Sequence, residues 1–144
     1  MMKIKYIKAD KEMYFHMPTY GTVNSACFDL YCPVGAKIKP GETKTIPLNI
    51  KTEIPQGFCV LLFPRSSMSK FHLIIANGTG VIDSDYRGEW KMKLTNIGKE
   101  EVAVFEGDRL IQGMLMPVLK VEFEKAESLS DTERGTGGFG STGK

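Results

Sequence analysis

The sequence predicts an all-β sandwich or barrel that gives way to a short tail of different composition. Three observations predict it. No window of a dozen residues carries an i, i+3, i+4 apolar stripe free of Pro or Gly, so helices have little support. Short runs rich in Ile, Val, Leu and Phe recur instead. Pro, Gly or Asn separates most of them, as at Pro33, Gly35, Pro40, Gly41, Pro47, Pro55, Gly57, Gly78, Gly88, Gly98 and Gly107.

The predicted strands, in order, cover residues 4–8, 26–31, 43–46, 49–54, 58–63, 73–76, 89–96, 102–105 and 110–123. The last run also fits a helical period, but Gly113 and Pro117 favour a bent or bulged strand. Gly78 and Gly80 lie between two strands and suggest a tight hairpin. One helical turn or two is expected at 67–71, with Ser66 or Ser67 as N-cap. Residues 127–144 are rich in Ser, Thr and Gly, with Leu129 and Phe139 almost alone as apolar residues. The division is therefore a β-domain over 1–126 and a flexible arm over 127–144.

Bulk properties narrow the function classes. The length of 144 residues fits one domain, and 42% apolar with 25% charged residues excludes wholesale disorder. A net charge of +2 gives no general basis for binding nucleic acid. The densest apolar run, 58–63, is too short to cross a bilayer. The N-terminus, MMKIKYIKADKE, alternates Lys with apolar residues and reads as mature sequence, so a soluble cytoplasmic protein is expected. Cys27, Cys32 and Cys59 form no CxxC pair and read as free thiols in a reducing compartment. His16 and His72 stand at no zinc-ligand spacing from them. The G-x-x-x-x-G-K spacing ending at Lys144 lacks a following Ser/Thr and any strand-to-helix context. The acidic run from Asp83 has Arg87 and Leu94 where a calcium loop needs oxygen ligands.

Five clusters carry the chemistry: ACFDL at 26–30, PRSSMS at 64–69, GVIDSDYRGE at 80–89, GDRLIQ at 107–112 and RGTGGFGST at 134–142. All but the first set Gly or Ser beside Asp or Arg. In the last, glycine N–H groups can wrap an anion, Arg134 can clamp phosphate and Phe139 offers a stacking face. Together this suits a lid over a phosphorylated base.

In this order and spacing the clusters resemble those of the trimeric dUTPases, from about residue 25 to 142. The resemblance implies a jelly-roll-like distorted β-barrel, a homotrimer with shared sites, Mg²⁺ as cofactor, and hydrolysis of dUTP to dUMP and pyrophosphate. It assigns Asp83 to the attacking water. It assigns Asn77, Gly80, Val81 and Ile82 to the base pocket, and Tyr86 to the deoxyribose, against a 2′-hydroxyl. Arg65, Ser66, Ser67 and Lys91 fall to the phosphate chain, and Gln112 to water or phosphate. Arg134 would clamp the terminal phosphate, Phe139 would stack on uracil, and Gly138, Gly140 and Ser141 would cradle the β- and γ-phosphates. Asp29 would act on the metal indirectly, through water, and Asp108 and Arg109 would knit the subunit interface. Cys27 stands where the family has Gly, and Gly113 where it has an apolar residue. A dCTP deaminase or bifunctional enzyme of the same fold, and a nucleotide-sensing binding protein, are the alternatives. A capsid-type sandwich would need neither the Arg/Ser/Asp set nor the Gly-rich tail.

Overall fold

A computed structural model of the chain describes residues 2–139 and residue 141. Its strands are β1 (Lys5–Lys8), β2 (Thr19–Tyr20), β3 (Phe28–Leu30), β4 (Ala36–Ile38), β5 (Thr43–Pro47), β6 (Ile50–Glu53) and β7 (Phe58–Pro64). After a 3-10 helix at Ser66–Phe71 come β8 (Leu73–Ile75), β9 (Gly80–Ile82), β10 (Lys91–Asn96), β11 (Val102–Val104) and β12 (Ile111–Pro117). All pairs are antiparallel. The largest sheet runs β2-β3-β12-β7-β9, a second runs β5-β10-β8, and β1-β6 and β11-β4 are two-stranded.

One apolar core joins these sheets. Ile38 from β4, Ile46 from β5, Ile50 from β6, Val60 and Leu62 from β7, Leu94 from β10 and Ile111 from β12 are all buried in it. Burial alternates along β10, where Met92, Leu94 and Asn96 are buried and Lys91 and Lys93 exposed, the period of a strand with one wet face. Trp90 fills the core just before β10.

The structure corrects four local expectations. The segments flanking Gly78 form no paired hairpin: β8 pairs with β10, and β9 pairs with β7. Each arm finds a longer strand in a different sheet, and a turn closed by Gly78 N–H to the Ile75 carbonyl (2.9 Å) joins them. The strand expected to reach residue 123 stops at Pro117, which lies opposite Phe58, the first residue of β7, so the ladder ends where its partner does. The 3-10 helix is capped by Arg65 with no side-chain bond, and neither Ser66 nor Ser67 caps it. Strands β2 and β4 escaped the sequence reading because they are very short, and β4 owes its form to a distant partner, β11. The three cysteines are free, as expected.

Candidate active site

Most of the residues singled out from the sequence gather in two clefts that share no lining residue. The first, about 220 Å³, is lined by Asn77, Gly80, Val81, Ile82, Asp83, Tyr86 and Lys91, with Leu62 and Glu89. Strand β9 builds its wall by pairing with β7, which sets Gly80 opposite Leu62. A Cβ on Gly80 would lie 3.1 Å from that of Leu62, so the glycine permits this close approach. Ile82 turns into the core while Val81 faces out. Asp83 follows at the strand end with its side chain exposed. It also borders a larger groove of about 760 Å³ lined by segment 53–59, Ser84, Asp85, Arg87, Val118 and Lys120. Asp83 thus stands on a rim open to solvent on both sides. Arg87 Nη1 donates to the Ser84 carbonyl at 2.7 Å and holds the turn after it.

Tyr86 is held at both ends of its ring. Its hydroxyl donates to the Glu89 carbonyl at 3.1 Å. Beneath it lies Gly88, where a Cβ would come within 2.3 Å of the phenolic oxygen. The ring can take this place only because residue 88 has no side chain.

The second cleft, about 340 Å³, is lined by Asp29, Arg65, Ser66 and Gln112, together with Gly21, Ser25, Ala26 and Cys27. Its floor is the β3–β12 ladder, where Asp29 pairs with Gln112. Asp29 is buried, and each carboxylate oxygen meets a guanidinium: Oδ1 to Arg65 Nε at 2.9 Å and Oδ2 to Arg109 Nη1 at 3.2 Å. Arg65 Nη1 donates to the Arg109 carbonyl at 3.1 Å, and Gln112 Nε2 to the Pro64 carbonyl at 3.1 Å. The arrangement is a pre-aimed basic clamp suited to a phosphate chain. Burial, and next the Asp29 charge, push the Cys27 thiol above its ordinary value, so it faces the cleft as a neutral group.

With both oxygens paired to arginines, Asp29 is not placed to ligate a metal directly; the resemblance assigns it a role through water. Its oxygens are each bound to a cation, and the two guanidiniums repel a dication brought close. Among the described residues no three His, Cys, Asp or Glu gather as a metal cage. The donor set fits an ion carried in by polyphosphate oxygens and water, as Mg²⁺ chemistry favours. Asp108 and Arg109, expected at an interface, make contacts within the chain: Asp108 Oδ2 accepts the Phe105 N–H at 2.8 Å, and Arg109 holds Asp29.

Ser67 lies half-buried on the 3-10 helix and lines neither cleft. Arg134, Gly138, Phe139 and Ser141 also stand apart from both. Arg134 Nε donates to its own turn at the Gly137 carbonyl (3.0 Å), Ser141 N–H donates to the Gly138 carbonyl (3.1 Å), and the Phe139 ring is fully exposed. Gly140 lies outside the described residues. Sequence reasoning missed Glu89, whose place at the end of the GVIDSDYRGE segment was the available signal, and the Gly21–Ser25 edge of the second cleft, which carried none.

Comparison with known proteins places this arrangement. The family model described as dUTPase matches residues 13–143. A deoxyuridine 5'-triphosphate nucleotidohydrolase of Nautilia profundicola is 43% identical over 144 residues, covering 99% of this chain and 100% of its own. That of Desulfitobacterium hafniense is 42% identical, covering 99% and 95%. Among solved structures, a mutant dUTPase of Staphylococcus bacteriophage 80alpha with dUpNHpp superposes with TM-score 0.88 at 24% identity, over 99% of both chains. A mutant dUTPase of phage phi11 of S. aureus, described with a structural Mg(II) ion, gives 0.81 at 21%, over 90% and 100%. No helix among the described residues is long and apolar enough to cross a membrane. With its β architecture and its two clefts, the chain belongs to the dUTPase family.

Proposed function

We propose that this chain hydrolyses dUTP to dUMP and pyrophosphate, removing a precursor of uracil in DNA and supplying dUMP for thymidylate synthesis. One observation carries the reading. An exposed carboxylate, Asp83, closes a strand whose preceding residues, with Asn77, Tyr86 and Lys91, line a single cleft. Asp83 orients the water and takes its proton during in-line attack on the α-phosphorus, a general-base contribution of ~10²–10⁴-fold. Asn77 and the β9 backbone read the uracil edge, where cytosine would leave donors and acceptors unmatched. Tyr86 packs on the deoxyribose. Arg65, Ser66, the Ser67 backbone, Lys91 and Gln112 hold the phosphate chain. Mg²⁺ bound to the triphosphate supplies charge neutralisation and fixes its conformation.

The complete site is read as shared in a homotrimer, with residues 127–144 of one chain closing the site of another. The separation of base cleft and basic clamp within one chain supports this. So does the local folding of the Arg134 turn, which leaves Phe139 exposed. Residues 1–126 form the domain that the arm serves. The free thiols fit a cytoplasmic setting.

A pyrophosphate-release assay across dUTP, dCTP, dTTP, dATP and dGTP, with and without Mg²⁺, tests the reading. Release from dUTP alone, dependent on Mg²⁺, is expected. Ammonia from dCTP would make the chain a deaminase, and tight dUTP binding without turnover would make it a sensor.

A further inference from the structure

Glu89 ties the base cleft to the interior of the fold. Leu48 N–H donates to the Trp90 carbonyl, and Trp90 N–H donates to the Ile50 carbonyl, each at 2.9 Å. These bonds bracket Asn49, so the three positions 48–50 face one partner, a wide bulge at the junction where β5 ends and β6 begins. Asn49 has φ 51 and is fully buried. Its N–H is displaced from the ladder, and a buried N–H left unpaired is costly. Glu89 Oε1 accepts it at 3.0 Å. The Asn49 side chain is fixed in turn. Its Nδ2 donates to the Met13 and Tyr14 carbonyls, both at 3.2 Å, and its Oδ1 accepts the Asp10 N–H at 2.7 Å. At the other end, the Glu89 carbonyl receives the Tyr86 hydroxyl.

We propose that Glu89 is a positioning residue for sugar selection: its carboxylate, anchored on the buried Asn49 bulge, fixes the carbonyl that holds the Tyr86 ring in place. The inference rests on the reading of Tyr86 as the wall beside the deoxyribose. A ring free to swing about its side-chain torsions can retreat from a 2′-hydroxyl. One held at its hydroxyl and seated on Gly88 cannot, and rigid support of this kind converts shape into discrimination. The Glu89 carboxylate acts through Tyr86 and takes no part in the chemistry.

The test compares full-length Glu89→Ala and Glu89→Gln with wild type. It measures kcat/KM for dUTP and UTP by pyrophosphate release, alongside Tm. Glu89→Gln keeps an oxygen that can accept from Asn49 and should hold the dUTP/UTP preference within about twofold. Glu89→Ala should lower that preference by roughly three- to tenfold, the worth of one such hydrogen bond. An unchanged preference in folded Glu89→Ala, or equal losses in both variants, overturns the proposal. Should Glu89→Ala not fold, Tyr86→Phe removes the hydroxyl at the other end of the tie. It should cost a similar share of the preference, and no change there overturns the proposal as well. A wild-type protein that releases no pyrophosphate from dUTP defeats the function itself, a result distinct from any change confined to the dUTP/UTP ratio.

Discussion

Asp29 on β3 and Arg65, just past the end of β7, meet at 2.9 Å, with the carboxylate buried and the guanidinium only partly covered. Arg109 closes on the other carboxylate oxygen. A buried anion that holds Arg65 at the cleft, with Arg109 on its other oxygen, organises the cleft's positive charge before any ligand arrives. Asp29→Asn should therefore raise KM for dUTP more than it lowers kcat. The new amide NH₂ would face a guanidinium, donor against donor. The stability cost is about 1–3 kcal/mol, kept low because both arginines retain water. Steady-state kinetics beside thermal melts check both effects, and an unchanged KM would assign Asp29 to packing alone.

Asp83 supplies the sharpest functional test. Asp83→Asn preserves shape and hydrogen-bonding reach but removes the proton acceptor. Turnover should drop by ~10²–10⁴-fold with dUTP affinity little changed. Single-turnover kinetics with equilibrium binding separate the two. A rate within a few-fold of wild type would remove Asp83 from the mechanism.

Gly113 lies opposite Phe28, and a Cβ there would come within 2.5 Å of the phenyl ring. Gly113→Ala should destabilise the fold by roughly 1–3 kcal/mol through overpacking. Phe28→Leu in the same chain should recover part of the loss. Denaturant midpoints report this, and additive losses would place the strain elsewhere.

Truncation before Arg134 should leave Tm within a few degrees of the full chain, because that segment's described hydrogen bonds are local turns. Pyrophosphate release should be nearly abolished. Unchanged kcat/KM in the shortened protein would remove the arm from catalysis.

Cys32 sets an alkaline limit on stability. Burial, and then the nearby Asp108 charge, raise its thiol from 9.0 to about 12. The folded state holds this proton more tightly than the unfolded chain does. Stability is therefore full below pH 9 and declines as pH rises toward 12. Tm should fall across that window, and Cys32→Ala, although less stable overall, should show a flatter profile over it. The buried thiol should also resist alkylation in the native protein.

The β class was legible from alternation and turn residues because both are local. The central strands were placed to within a residue or two, as at β5, β6, β7 and β8. Failures came where pairing is distant. Residues 73–75 and 80–82 look like a hairpin in sequence, yet each is claimed by a strand of a different sheet. Glu89 was passed over because its tie to Asn49 depends on a bulge that no local pattern announces.

The sequence alone determined the chemical inventory: a β-rich chain, a carboxylate after an apolar strand, a basic Arg/Ser pair and a glycine-rich tail. Only the tertiary structure decided which of these are neighbours. It set Asp29 against Arg65 and Arg109, separated that clamp from the Asn77–Asp83 cleft, and anchored Tyr86 through Glu89 on a buried bulge. The reason is physical: side-chain types and turn preferences reside in single residues, whereas antiparallel register is settled by core burial between strands far apart in the chain.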